Sequence, residues 1–387
     1  ELKLPTLTVE RSFDGVARTV TLSPVKLANM VSEGLNTFCK TSSSYPAPRH
    51  ITPPDWLNDT DKATLQQVLY PALETRWLQS IDPRHQAGIS HDIYLKLWTL
   101  GNPVINADFI LFDEAQDADP LMMGALLKQQ KQTIYVGDAH QQIYEWRGAT
   151  NAMKRLPYPA TLLTQSFRFG QAVADVANIF LKALQETVPL QGNPDKPSTV
   201  APLSASETDV ILCRTNANAM ARLLAGQKRG QKVALQADST RILRFCQGAD
   251  SLKAGKMAYG VPELAYFANW GEVQEFSDTQ AGRDLKTWVK LIEEHGTNVI
   301  TRAISTLSDE KTADYVVSTA HKSKGLEWGR VRIDDDFLYD ISRQSVKISP
   351  EELRLLYVAC TRGKMVLDVS AIKELLTGLV SKKLIYQ

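Results

Sequence analysis

Phe109-Ile110-Leu111-Phe112-Asp113-Glu114-Ala115-Gln116-Asp117 is the stretch that decides the fold. Four apolar residues, too few for a helix, run straight into carboxylates. That pattern reads as a buried parallel strand with acidic groups at its C-terminal end. One short helix later it returns: TIYVGD (133–138) is an apolar strand followed by Gly137 and Asp138. TLLTQSFRFG (161–170) reads as a further strand running into a turn, with a helix over 171–186. DVILCRTN (209–216) is a strand, followed by the helical NAMARLLAG. DYVVSTAHKSKGLEW (314–328) is a strand and a loop, and EELRLLYVACTRGKMVLDVS (351–370) is a helix, a turn and a strand. Strands alternating with helices argue for parallel sheets with sites at strand C-termini. Two such blocks stand out, 90–165 and 166–235 plus 311–387.

The flanking segments are different. Residues 1–50 are mixed, with a helix expected around 25–38, and 41–54 is a Ser- and Pro-rich loop. Over 61–82, Leu65, Val68, Leu69, Leu73 and Trp77 recur at helical spacing. Ser90–Asp92 can cap the helix HDIYLKLWTL. The Pro- and Ser-bearing 191–209 is a surface connection. Residues 240–308 read as helices whose aromatics (Tyr266, Phe267, Trp270, Trp288) suit a core better than a base platform.

At 387 residues the chain needs two to four domains. Hydrophobic residues make up 43% and charged residues 22%, enough to bury a core in each. A net charge of +1 neither supports nor excludes a nucleic-acid partner, because a local basic stripe suffices. Cys39, Cys213, Cys246 and Cys360 are far apart, which argues against a zinc site or disulfide framework and suits a reducing compartment. Cys213 and Cys360 read as buried small hydrophobes. No signal peptide or membrane span is expected, which points to the cytoplasm, or to the nucleus in a eukaryote. The first residue is Glu1 rather than Met, so an upstream segment is expected.

A carboxylate at a strand end, such as Asp113, can hold Mg²⁺ at nucleotide phosphates, and an adjacent one, Glu114, can orient or deprotonate water. The bland alternative is a solvated acidic turn. The run GDAHQQIYEWRGA (137–149) adds Gln141, able to sense a γ-phosphate, and Tyr144, Trp146 and Arg147, able to stack on bases and pair with a phosphate. Taken alone, Trp146 reads more readily as core than as a base platform. Arg168 and Arg362 read equally as surface ion-pair residues and Glu327 as a solvated loop acid. His321 beside Lys322 and Lys324 is either a basic loop or a phosphate-contacting stripe.

DEAQD, GDAHQQIYEWRGA, TQSFRFG, STAHKSKGLEW and LLYVACTRGK, in that order, resemble superfamily 1 DNA helicases of the UvrD/Rep type. HDIYLKLW, VGDAHQQIYEWRGATNAM and LTQSFRFG look closest to the F-box DNA helicase 1 branch. The resemblance covers about 90–220 and 311–370. It implies two RecA-like parallel-sheet domains of the P-loop NTPase class, the first incomplete. Their parts are 90–165 for the first and 166–235 plus 311–387 for the second, with helical insertions at 1–89 and 236–310. It implies that Asp113 binds Mg²⁺, Glu114 activates water and Gln141 contacts the γ-phosphate. Phe167 would stack on adenine, Arg168 and Arg362 would be arginine fingers, and Glu327 and Gly325 would meet the nucleotide. Tyr144, Trp146, Arg147, His321 and Lys322 would touch DNA. Carboxylates on one domain and arginines on the other would make closure depend on ATP.

The implied activity is an ATP- and Mg²⁺-dependent motor on single-stranded or partly duplex DNA, moving 3′ to 5′, in repair, recombination or phage defence. A partner nuclease would make it the helicase subunit of a helicase–nuclease system. A non-catalytic DNA-binding scaffold is the alternative. No G-x-x-x-x-G-K-[ST] loop occurs in the sequence. Three explanations stand: a longer native chain, a loop supplied by another polypeptide, or a helicase that binds DNA without turnover. This chain alone is expected to be inactive.

Overall fold

A computed structural model describes residues 4–13, 16–54, 57–85, 89–144, 151, 153, 156–279 and 282–386. The chain divides into two compact units, Glu1–Leu156 and Pro157–Gln387.

The first unit opens with an antiparallel hairpin of strands Leu7–Phe13 and Val16–Leu22, in register from Leu7 opposite Leu22 to Phe13 opposite Val16. This is an addition to the helical reading of residues 1–89. Helix Pro24–Lys40 follows, capped by the Ser23 hydroxyl with Pro24 in its first turn, where a missing N–H costs nothing. It turns Leu27, Met30, Val31, Leu35 and Phe38 inward. Helix Asp59–Ile81, capped by Asn58, answers with Leu65, Leu69, Leu73 and Trp77. Val68, expected in that stripe, lies off it and is exposed. Trp77 meets Phe38 edge-on, with centroids 5.0 Å apart. Ser90 caps helix His91–Leu100 as expected.

Strands Phe109–Phe112 and Gln132–Tyr135 pair in parallel, and helix Pro120–Leu127 connects them. Phe112 and Tyr135 pack on Ala118 and Met123, so this face is covered. The other face corrects the sequence reading, because Phe109, Leu111, Ile134 and Val136 are exposed. A parallel strand is buried on both faces only when layers cover both. TLLTQ corrects it again. Among the described residues 161–164 form no strand, and Gln165 makes one isolated bridge to Gln191. Leu162 and Leu163 are exposed there, since an apolar run becomes a strand only beside a partner that accepts its ladder.

Among the described residues the second unit holds one sheet of six parallel strands and a smaller sheet of Asp340–Ile341, Ser345–Ile348 and Lys383–Tyr386. The order across the six-stranded sheet is Thr199–Val200, Gly363–Asp368, Trp328–Ile333, Val210–Cys213, Tyr315–Thr319 and Val233–Gln236. Helices Gln171–Ala183, Asn216–Lys228 and Pro350–Cys360 bury apolar residues beside it. Helices Ser239–Lys253, Trp270–Ser277, Arg283–His295 and Thr297–Ser305 follow, and Phe267, Trp270 and Trp288 are buried, with Trp288 stacked on Phe245 at 4.7 Å. All four cysteines are buried. Among the described residues no helix is long and apolar enough to cross a membrane.

Lys96 is the least expected core residue. Its ammonium is fully buried, donates to Thr41 O at 2.7 Å and Ser43 O at 2.5 Å, and lies 4.3 Å from the Phe38 ring centroid. It ties the loop after the first helix to helix His91–Leu100. Burial lowers its pKa from 10.5 to about 8. Between those values the unfolded chain holds the proton that the folded chain has lost, so this group makes stability rise with pH across that window. Lys96→Met strands the two carbonyls and is expected to cost on the order of 2 kcal/mol near neutral pH. Denaturant titrations at pH 7 and pH 10 check both points: the mutant should be less stable and should lose this part of the pH dependence.

Candidate functional site

Two groups of polar residues are built separately, one in each unit. In the first, the strand Phe109–Phe112 ends and Asp113 Oδ1 accepts from the Glu114 N–H at 2.8 Å. Glu114 takes a left-handed conformation, φ 52°, which turns the chain sharply. Asp113 and Glu114 are exposed at the C-terminal end of the strand, where the sequence placed them. Hard carboxylate oxygens on an open strand end suit Mg²⁺, which keeps several of its waters.

Behind them lies Gln116, 1% exposed. Its Nε2 donates to Glu114 Oε2, and its Oε1 accepts from the Asp138 N–H at 3.1 Å. Asp138 in turn accepts from the His140 N–H at 2.8 Å and from Gln141 Nε2 at 2.9 Å. The acidic turn and the Gln141 turn are thus brought together through one buried amide. A Cβ at Gly137 would stand 2.3 Å from Gln116 Oε1, so the glycine makes room for that amide. Sequence reasoning quoted Gln116 and Gly137 inside motifs and gave them no role. Tyr144 is half-buried, and Trp146 and Arg147 lie outside the described residues.

In the second unit the charges gather at the N-terminal ends of the neighbouring strands Trp328–Ile333 and Gly363–Asp368, opposite to the strand ends expected. Arg168 Nε donates to Glu327 Oε2 at 2.8 Å, and Lys364 Nζ donates to Glu327 Oε1 at 3.1 Å. Arg168 Nη1 also donates to Thr361 O at 3.2 Å. Arg362 is 1% exposed and donates from Nε to Val358 O at 2.8 Å and from Nη2 to Thr361 Oγ1 at 2.9 Å. The reason is local. Helix Pro350–Cys360 ends there, and its last carbonyls carry partial negative charge and lack intrahelical donors. Both guanidinium groups dock onto that end. The hydrogen bonds from Arg168 and Lys364 hold the Glu327 carboxyl below its ordinary pKa.

Phe167 is 75% exposed beside this cluster, and its carbonyl accepts from Lys196 Nζ at 2.6 Å. Lys196 and Lys364 were missed, although Lys364 closes the quoted run LLYVACTRGK. Gly325 sits at φ +82°, a conformation that excludes most other residues. His321 and exposed Lys322 lie at the opposite, C-terminal end of strand Tyr315–Thr319. Burial, with a smaller contribution from Arg214, lowers the His321 pKa to about 4, so the imidazole is neutral near pH 7.

Cys213, Asp334 and Asp336 converge nearby at ligand-like distances. Their carboxylates are engaged otherwise. Asp334 accepts from Asn218 and Arg222, and Asp336 from the N–H groups of Arg214 and Thr215, anchoring helix Asn216–Lys228.

A family model described as the UvrD/REP helicase N-terminal domain matches residues 104–155, and one described as the UvrD-like helicase C-terminal domain matches 262–374. The first span holds Asp113, Glu114, Gln116 and Gln141. The second holds His321, Gly325, Glu327, Arg362 and Lys364, while Phe167 and Arg168 fall between. F-box DNA helicase 1 of Gallus gallus is 30% identical over 336 residues, 78% of this chain and 33% of that protein. F-box DNA helicase protein 1 of Schizosaccharomyces pombe is 31% identical over 309 residues, 70% of this chain and 35% of that protein. ATP-dependent DNA helicase PcrA of Leuconostoc citreum is 34% identical over 84 residues, 20% of this chain and 11% of that protein. The chain spans about a third of the length of the two F-box relatives.

The two arginines should separate in a stability measurement. Arg362→Ala empties a buried site and removes donors from the end of a helix, so a loss on the order of 3 kcal/mol is expected. Arg168→Ala removes a half-exposed ion pair and should cost about 1 kcal/mol or less. Thermal unfolding of the two variants beside the parent checks the order.

Proposed function

We propose that this chain, whose two matched domains are those of UvrD-like helicases, is the motor part of an ATP-driven DNA helicase that moves along a single strand. The observation that carries the reading is the division of charges. One unit presents an acidic turn joined to a glutamine turn, and the other a cluster of two arginines, a lysine and a glutamate. Phosphoryl transfer needs both sets: oxygen ligands and a water-orienting base, and cations for the charge on the transferred group. The relatives named as DNA helicases support DNA as the track, and the resemblance of the motifs supports 3′-to-5′ movement.

In this reading Asp113 holds Mg²⁺, which would neutralise phosphate charge when bound. Glu114 orients and deprotonates the attacking water, and Gln141 reports the γ-phosphate. Phe167 offers its exposed ring to adenine, and Gly325 and Glu327 meet the sugar. Arg168, now paired with Glu327, turns to the triphosphate, whose greater charge outcompetes a single carboxylate. Arg362, buried at the helix end, adds fixed positive potential. Tyr144, Trp146 and Arg147 grip the strand. The neutral His321 contributes a hydrogen bond to its backbone, with Lys322 supplying charge. Work in repair, recombination or phage defence, with or without a nuclease partner, belongs to the same proposal.

In the full-length protein, Arg168→Ala is expected to lower DNA-stimulated ATP turnover by about 10³-fold while leaving strand affinity unchanged. Trp146→Ala is expected to weaken strand binding and to uncouple hydrolysis from unwinding. ATPase assays with fluorescence-anisotropy titrations of an oligonucleotide separate the two. Normal turnover in Arg168→Ala refutes its role. A full-length protein that binds DNA without hydrolysing ATP would leave the scaffold reading in its place.

A further inference from the structure

The geometry points to Gln116 as a positioning residue that couples the Gln141 turn to the hydrolytic base, a role that rests on the helicase reading above. Gln116 touches neither phosphate nor water in that reading and acts through Glu114. Its side chain is buried, and both ends of its amide are used, Nε2 to Glu114 Oε2 and Oε1 from the Asp138 N–H. Only one orientation of the amide works. Flipped, it would set an oxygen against a carboxylate and an NH₂ against an N–H.

The arrangement is specified from both sides. Gly137 leaves open the space that the Gln116 oxygen fills. The Ala115 N–H donates to Val136 O at 2.9 Å, fixing one turn against the other. Beyond Asp138 the bonds continue to Nε2 of Gln141, the residue that the helicase reading gives to the γ-phosphate. A shift of the Gln141 turn that moves the Asp138 backbone N–H is therefore passed to the Gln116 amide and through it to the Glu114 carboxylate.

Gln116→Met keeps the volume and removes both hydrogen bonds. Gly137→Ala leaves Gln116 in place and displaces its oxygen, and serves if the methionine variant folds poorly. In full-length protein both are expected to lower the kcat of DNA-stimulated hydrolysis by about 10-fold or more, with KM for ATP unchanged. The diagnostic is a double-mutant cycle with Gln141→Ala. Members of one relay are non-additive, so the double variant should be no worse than the poorer single.

Wild-type kcat in both single variants overturns the proposal. So does a kcat loss that simply multiplies with that of Gln141→Ala, which would mean Gln116 only supports the fold. If the wild-type protein hydrolyses no ATP with DNA present, the helicase reading falls and this one with it. If the wild type turns over and Glu114→Gln abolishes it while Gln116→Met does not, Gln116 alone is wrong.

Discussion

A parallel strand must pair along its edges and be covered on its faces, and most of this molecule follows from how far each unit meets that demand. In the second unit Val210–Cys213 runs between Tyr315–Thr319 and Trp328–Ile333, and its residues are buried or nearly so. With the centre fixed, the turns at the sheet's two ends become rigid mounts. Glu327 and Arg362 stand immediately before two adjacent strands whose first residues, Trp328 and Gly363, are paired. Their separation is therefore set by the ladder and not by a flexible loop. In the first unit the same demand is met once, on the face that Met123 covers.

Charge is placed by an equally simple rule. The end of helix Pro350–Cys360 collects cations because its carbonyls have no helical donors. Arg362 is taken fully into that site, whereas Arg168 reaches it with one nitrogen and spends another on Glu327. The difference in exposure separates the two residues. Arg362 is fixed in the interior, and Arg168 is held nearer the surface by Glu327.

Local grammar was readable in the sequence. The strands before Asp113 and Asp138, the cap at Ser90 and the helical stripe from Leu65 to Trp77 all depend on neighbours within a few residues. What was misread or left unread depends on distant chain. The exposure of Phe109 and Leu111, the absence of a ladder at Leu162 and Leu163, and the burial of Arg362 and Lys96 each turn on what packs or pairs from elsewhere. Gln116 is an intermediate case, since its partner Asp138 lies in the next motif, but nothing in the spacing says that one amide bridges them. The hairpin over 7–22 carried a usable signal, Asp14-Gly15 between two runs rich in β-branched residues, and that signal went unread.

The uncovered side of the small parallel ribbon has a consequence for how this polypeptide behaves in a tube. Phe109, Leu111, Ile134 and Val136 present an oily surface on a ribbon with no further strand alongside it among the described residues. Such a surface invites self-association through strand addition. A net charge of +1 supplies almost no colloidal repulsion to oppose it. These four side chains are a contiguous part of the exposed apolar surface, and polar replacements at those positions would act on handling before they acted on chemistry.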